Sequence, residues 1–181
     1  VTKDKIDLAA LPAAARQVVE AATAGEQPTL EAFLDFYRDA VKRKAVGLSE
    51  ADVCRRLVPS MTTLAGLVKH LRWVEVNWFQ RVLAQIPDDQ LGPLPFREDD
   101  PDATMRLEPG ETLSALLDEY DRQCAISRSI TAEHDPDTIV PHPELGEVSL
   151  RWIYVHMIEE TARHAGHADI LREQIDGAVG V

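Results

Sequence analysis

Cysteine is scarce in this chain. Cys54 and Cys124 are the two it has, which excludes a disulfide framework and a CxxC zinc or redox motif; both read as ordinary thiols. Basic charge is also short. Nineteen Lys and Arg face 31 Asp and Glu, a formal net charge of -12 at pH 7. Phosphate binding needs a concentrated basic surface, so this balance speaks against a nucleic-acid partner. Long apolar runs are missing, and none approaches the roughly 20 residues that span a bilayer. Residues 1–25 lack the apolar core and cleavage site of a signal peptide, so Lys3 and Lys5 are read as a charged N-terminal stretch. The expectation is a cytoplasmic protein with no membrane partner. Strand-like alternation and internal repeats are absent too, which points to an all-α chain.

What is present is helical patterning. A chain of 181 residues is long enough for one domain with its own core and short for two. Residues 1–28 read as an N-terminal extension in which LPAAARQVVEAATAG forms a short helix ending at Gly25. The first long helix is expected from an N-cap at Thr29, with Leu30, Phe33, Leu34, Tyr37 and Val41 inward, until Gly47. Ser49 to Asp52 has the serine-x-x-acid pattern of a short helix start. The second long helix runs from about Thr63 to Gln85 on a stripe of Leu64, Leu67, Leu71, Val74, Trp78 and Val82, with His70 beside it. Ile86 to Gly110 is a connector carrying five prolines and the acidic run 97–102. A loop of that length in a compact domain crosses the fold or borders a site. The third long helix covers Glu111 to Ala132, with Thr112 as an alternative N-cap and Leu113, Leu116, Leu117, Tyr120, Cys124 and Ile130 inward. Asp118, Glu119 and Asp121 are expected mostly on its wet face. His134 to Glu147 reads as a second long loop, and Ser149 caps the fourth helix, which ends at Gly177. Four long amphipathic helices make a four-helix bundle, with long connections between helices 2 and 3 and between 3 and 4.

The fourth helix carries the chemistry. Alternating steps of three and four residues give a seam of Ile153, Met157, Glu160, His164, His167, Leu171 and Gln174, apolar at its ends and polar in the middle. Charged groups are seldom buried without a partner. Glu160 and His164 stand at i,i+4, one above the other on the helix. His156 shares that face, but it lies about 12 Å along the axis from His164, while the ligand atoms of one ion lie only ~3–4 Å apart. The helix therefore supplies two ligands, and a neighbour must supply the third. His70 is the histidine within the other three long helices, so the candidate metal set is His70, Glu160 and His164, with open positions for water or substrate. Other readings stand beside it. A lone inward histidine is more often a hydrogen-bonded core residue, and Glu160 with Arg163 or His164 also reads as a helix-surface ion pair. His156 and His167 are expected to support a ligand or the structure, and His134 and His142 to lie in a loop.

GLVKHL at 66–71, VEVNWF at 74–79 and EVSLRWIYVHMIEETARHAGHADILREQIDG at 147–177 resemble the DinB-like (YfiT-like) metalloenzymes. The branch most similar to this chain is a mainly actinobacterial group that includes mini-circle proteins. The similarity runs from about Thr29 to Gly177. It implies an up-down-down-up order of the four helices. It also implies a divalent metal held by one histidine of helix two and a His/Glu-x-x-x-His pair of helix four, which here are His70, Glu160 and His164. Zinc leads as the ion, with nickel and manganese next. Many relatives have Gly-Gln where this chain has Gly166-His167, and Arg72 and Trp73 are bulkier than the positions they match. Characterised members include thiol-dependent S-transferases and a mycothiol-dependent isomerase, so the resemblance implies a transferase that uses mycothiol or another small thiol against a small electrophile. The ligands would carry the chemistry; His167 is the one further catalytic candidate. His156, His167 or Glu159 would orient a ligand, and Arg72, Arg151 or Arg163 would hold an anionic cofactor group. Two other readings remain: a non-catalytic metal- or small-ligand-binding stress-response protein, and a metal-dependent hydrolase with His167 as general base. A homodimer stays open, since no apolar stripe demands one.

Overall fold

A computed structural model describes residues 7–97, 99–100 and 102–180; Lys3, Lys5 and two positions of the acidic run at 97–102 lie outside them. The described chain is mostly helical, with α1 at Ala13–Glu20, α2 at Glu26–Ala45, a short α3 at Glu50–Val53, α4 at Leu64–Glu75, α5 at Leu113–Thr131 and α6 at Leu150–Asp176. Among the described residues the strands are β1 at Ile139–His142 and β2 at Gly146–Ser149. Helix α2 packs on α6 and α4 on α5, while α4 also touches α2 and α6. No helix of the described residues is long and apolar enough to cross a membrane.

Side-chain caps set most helix starts. Ser49 accepts a bond from the Asp52 N–H, Thr63 from Gly66, Thr112 from Ala115 and Ser149 from Trp152, each covering an amide that has no partner inside its helix. Gly177, at φ 77°, ends α6 in the left-handed region. The expected start of α2 moves. Gly25, not Thr29, is its N-cap, and Pro28 sits in the first turn, where the missing N–H costs nothing. Thr29 turns its hydroxyl back to the carbonyls of Ala21 and Gly25. The short helix before it ends at Glu20 and tightens into a 3-10 turn. Phe33 departs from the inward stripe and is exposed, while Leu34 and Val41 are buried.

Two features interrupt the simple four-helix pattern. Past Glu75 the second long helix widens into π-helical turns over Val76–Leu83, closing with Ala84 N–H on the Phe79 carbonyl at 3.0 Å. Trp78 and Val82 stay buried through this change. The region 134–147 is not simply loop: β1 and β2 pair antiparallel, with Val140 opposite Val148. Each strand has four residues and buries one valine, too short a run to display a period of two. Those valines close a core with Trp78, Phe79, Leu150, Ile153 and Met157. A second core gathers Val41, Leu64, Leu67, Leu71, Leu116 and Tyr120. Arg38 of α2 and Glu75 of α4 meet in the interior through bonds of 2.8 and 2.6 Å.

The buried face of α6 is Ile153, Tyr154, Met157, Thr161, His164, Ala165, Ala168 and Leu171. It drifts one residue from the expected seam, because steps averaging 3.5 lag a helix of 3.6 residues per turn. Glu160 therefore sits at the margin of that face rather than its centre, and His167 and Gln174 are exposed.

Candidate metal centre

Helix packing brings α4 and α6 together at one point. His70 Nε2 lies 3.3 Å from Glu160 Oε1, and His164 Nε2 lies 3.1 Å from the same oxygen. Among the described residues, these three form the group of potential ligands whose atoms all fall within 4.8 Å of one another. Their side chains are 17%, 16% and 10% exposed, half-sunk at the edge of the core with one side open. The two imidazoles stand edge to face at 4.8 Å between centroids.

The far nitrogen of each ring is also engaged. His70 Nδ1 is 2.8 Å from the hydroxyl of Thr104, a buried residue of the connector between α4 and α5. His164 Nδ1 faces His167 Nδ1 at 3.3 Å. A proton on each ligand's Nδ1, shared outward with Thr104 or His167, leaves the Nε2 lone pairs aimed at one place. Hydrogen bonds from His164 and His70 hold the Glu160 carboxyl well below the usual carboxylate range. Two imidazole nitrogens and one carboxylate oxygen at these distances are joined either by an Nε2–H of each ring donating to the carboxylate or by one cation that takes all three.

The connector reaches the site because α4 lets it approach. A Cβ on Gly66 would stand 2.7 Å from the Met105 carbonyl oxygen, so the absence of a side chain one turn before His70 admits the backbone that carries Thr104. Lys69 fastens the same stretch, donating to the Arg106 carbonyl and to Glu111 at 2.7 Å each. The long proline-bearing connector thus borders the site, as its length suggests. Thr104 does not stand out in the sequence. A glycine inside an apolar helix is the one signal that marked a close approach.

The remaining candidates are dispersed. His156 is half-buried and stacked on Trp152, 5.3 Å between centroids, outside the three-residue group; burial lowers its pKa. His167 is more exposed and meets the back of the His164 ring, Nδ1 to Nδ1 at 3.3 Å. Burial and the neighbouring His164 and Arg163 push its pKa down, with Glu160 opposing. His142 lies in the hairpin against Trp78, and His134 bonds to the Ile130 carbonyl. Arg72 pairs with Glu119 at 3.4 Å and lies over the Trp73 ring. Arg151 is held between Glu26 and Asp137. Arg163 pairs with Glu159 and lies 3.9 Å from Glu160 Oε2, the arginine nearest the centre of the three. Cys124 is buried and its thiol is pushed up to about 12; Cys54 is exposed, and partial burial and Glu50 raise it too.

A family model described as Mycothiol-S-transferase matches residues 29–177, which takes in α4, α5, α6 and the connector that carries Thr104. A comparison with curated proteins finds no match. With most of its length covered by that family, the chain belongs to the mycothiol S-transferases, within the DinB-like superfamily that its α4 and α6 residues resemble.

Proposed function

We propose that residues 29–177 form an up-down-down-up four-helix bundle, extended at its N-terminus by residues 1–28, in which His70, Glu160 and His164 hold one divalent cation. We further propose that the protein is a cytoplasmic enzyme, transferring a small thiol of the mycothiol type to small electrophiles. The observation that carries this reading is the convergence of two Nε2 atoms on Glu160 Oε1 at 3.1 and 3.3 Å. Ligand atoms around a zinc-sized ion lie about 3–4 Å apart, so the three donors fit such an ion without large movement. Two imidazoles and a carboxylate suit zinc first, with nickel and manganese next. Three protein ligands leave a position open, the pattern of a catalytic centre.

A bound divalent ion would supply one thing: it lowers the pKa of a thiol brought to its open position, so that sulfur reacts as thiolate near neutral pH. The chain's own residues do the rest. Glu160 stays ionised and balances the cation's charge. Thr104 and His167 hold the Nδ1 protons of His70 and His164, keeping both Nε2 lone pairs available. Neither Cys124, buried with its thiol pushed up to about 12, nor the exposed Cys54 belongs to the three-ligand group, so the reactive thiol comes from outside. That thiol gives up its proton, its sulfur electron pair forms the C–S bond, and the leaving group departs with its bonding pair. Arg163, 3.9 Å from Glu160 Oε2, lies beside the centre and would meet an anionic group there on leaving its exposed pair with Glu159. His167 stands behind the His164 ring, on the side away from Glu160, which favours orienting a ligand over acting as base in a hydrolase.

The test follows free thiol in metal-loaded protein given mycothiol and a panel of small electrophiles. Thiol loss that requires both thiol and metal, and that disappears in His164→Ala, supports the transfer. Substrate turnover that ignores thiol favours a hydrolase. Metal retention with no turnover across the panel favours a binding protein.

A further inference from the structure

One turn along α6 from the metal centre, the surface opens into a groove of about 970 Å³ lined by Trp78, His142, Trp152, His156 and Phe96. Its volume is that of a small-molecule site. The rings are ordered: Trp152 stacks on His156 at 5.3 Å and 9°, and Trp78 on His142 at 5.2 Å and 24°. Trp152 is 42% exposed and lines the groove. His156 stands four residues before Glu160, about 6 Å along the helix. Phe96 packs on Trp73 at 6.3 Å, three residues after His70, so the groove reaches both helices that bear the candidate ligands.

Two polar side chains of the groove's floor are already engaged. Arg81 is held by both oxygens of Asp88 at 2.7 and 3.1 Å, and Gln85 donates to the Pro141 carbonyl at 3.2 Å. With Asp88 balanced by Arg81, Glu144 leaves the lining a net negative charge, which disfavours an anion. The faces of the rings remain as the recognition surface.

We propose that this groove seats the acceptor substrate, and that the acceptor carries a flat aromatic ring without negative charge, stacked on Trp152. The acceptor role deepens the transferase reading and rests on it; the ring site itself does not. The site is tested on its own with the neutral fluorophore N-phenyl-1-naphthylamine, titrated into protein kept in chelator. Saturable enhancement is expected for the native chain. Trp152→Ala weakens it by at least about tenfold, the scale of one lost stacking partner, while Trp152→Phe keeps it within about threefold. Circular dichroism confirms that the variants fold, and the cap at Ser149 uses only the Trp152 amide. Glu160→Ala binds the probe as the native chain does. Absence of saturable binding, an unchanged Trp152→Ala, or displacement of the probe by a methyl glucoside overturns the assignment. Probe binding that survives while thiol transfer fails sinks the transferase reading and leaves a ring-binding site without an acceptor role.

Discussion

Thr104→Val isolates the support given to the metal centre from the connector. Valine keeps the volume of threonine and loses the oxygen that meets His70 Nδ1 at 2.8 Å. Thr104 is only 7% exposed, so water is poorly placed to replace the hydroxyl. Either the His70 N–H stays unpaired at the edge of the core, at a cost of about 1–3 kcal/mol, or the ring changes tautomer and withdraws its Nε2 lone pair. Both routes weaken the cation site, by about 10–100-fold in affinity, the usual effect of losing a group that orients a ligand. Competition titration of zinc against a calibrated chelator reads this directly. Thr104→Ser restores the hydroxyl and should recover most of the affinity, which separates the hydrogen bond from the packing of the γ-methyl. Native affinity in Thr104→Val would make the contact incidental and rule out support from the connector.

Three further outcomes follow from the same geometry. Glu75→Gln strips the charge from the buried pair with Arg38, whose side chains are 4% and 1% exposed. Because Arg38 keeps Asp35 at 2.8 Å, the loss should fall near the low end for a broken buried pair, about 3 kcal/mol, and thermal melting should show a fall of about 6–12 °C. The double replacement Arg38→Met with Glu75→Met should recover much of it, since no buried charge is then left alone. Gly66→Ala forces a methyl against the Met105 carbonyl and displaces the connector. Urea unfolding should show a net loss of about 1–3 kcal/mol despite alanine's better helix propensity, with zinc affinity falling as in Thr104→Val. Thiol labelling at pH 8 should modify one cysteine quickly, the exposed Cys54. Cys124, with its pKa pushed up to about 12, has only about one part in ten thousand as thiolate at that pH, so it should react when the chain is unfolded and not before.

The helices of this chain were legible because their signals are local. Thr63, Thr112 and Ser149 announce helix starts, and the stripe from Leu64 to Val82 is as buried as its spacing implies. The α6 pair of Glu160 and His164 was legible for the same reason, since four residues on a helix fix their neighbourhood. Choosing His70 as the residue opposite them needed the count of histidines in the other helices, and the structure brings that residue to 3.3 Å. What escaped the sequence depends on distant packing. Thr104 meets His70 across 34 positions, and nothing within the connector distinguishes it from other loop hydroxyls. The hairpin at 139–149 hides because each strand buries a single valine. The π-helical turns after Glu75 keep Trp78 and Val82 inward, so the apolar pattern shows no break where the backbone widens. Phe33 failed the other way: its spacing was helical and apolar, but one residue off the buried stripe.

On the proposed reading, α4 and α6 share one divalent cation through His70, Glu160 and His164. Elemental analysis of protein prepared without a histidine tag, beside His70→Ala and Glu160→Ala, tests it most directly. Close to one ion per native chain is expected, with that ion lost in both variants, each with native helical content. No metal after reconstitution with zinc, nickel and manganese, or full metal in either variant, would contradict it.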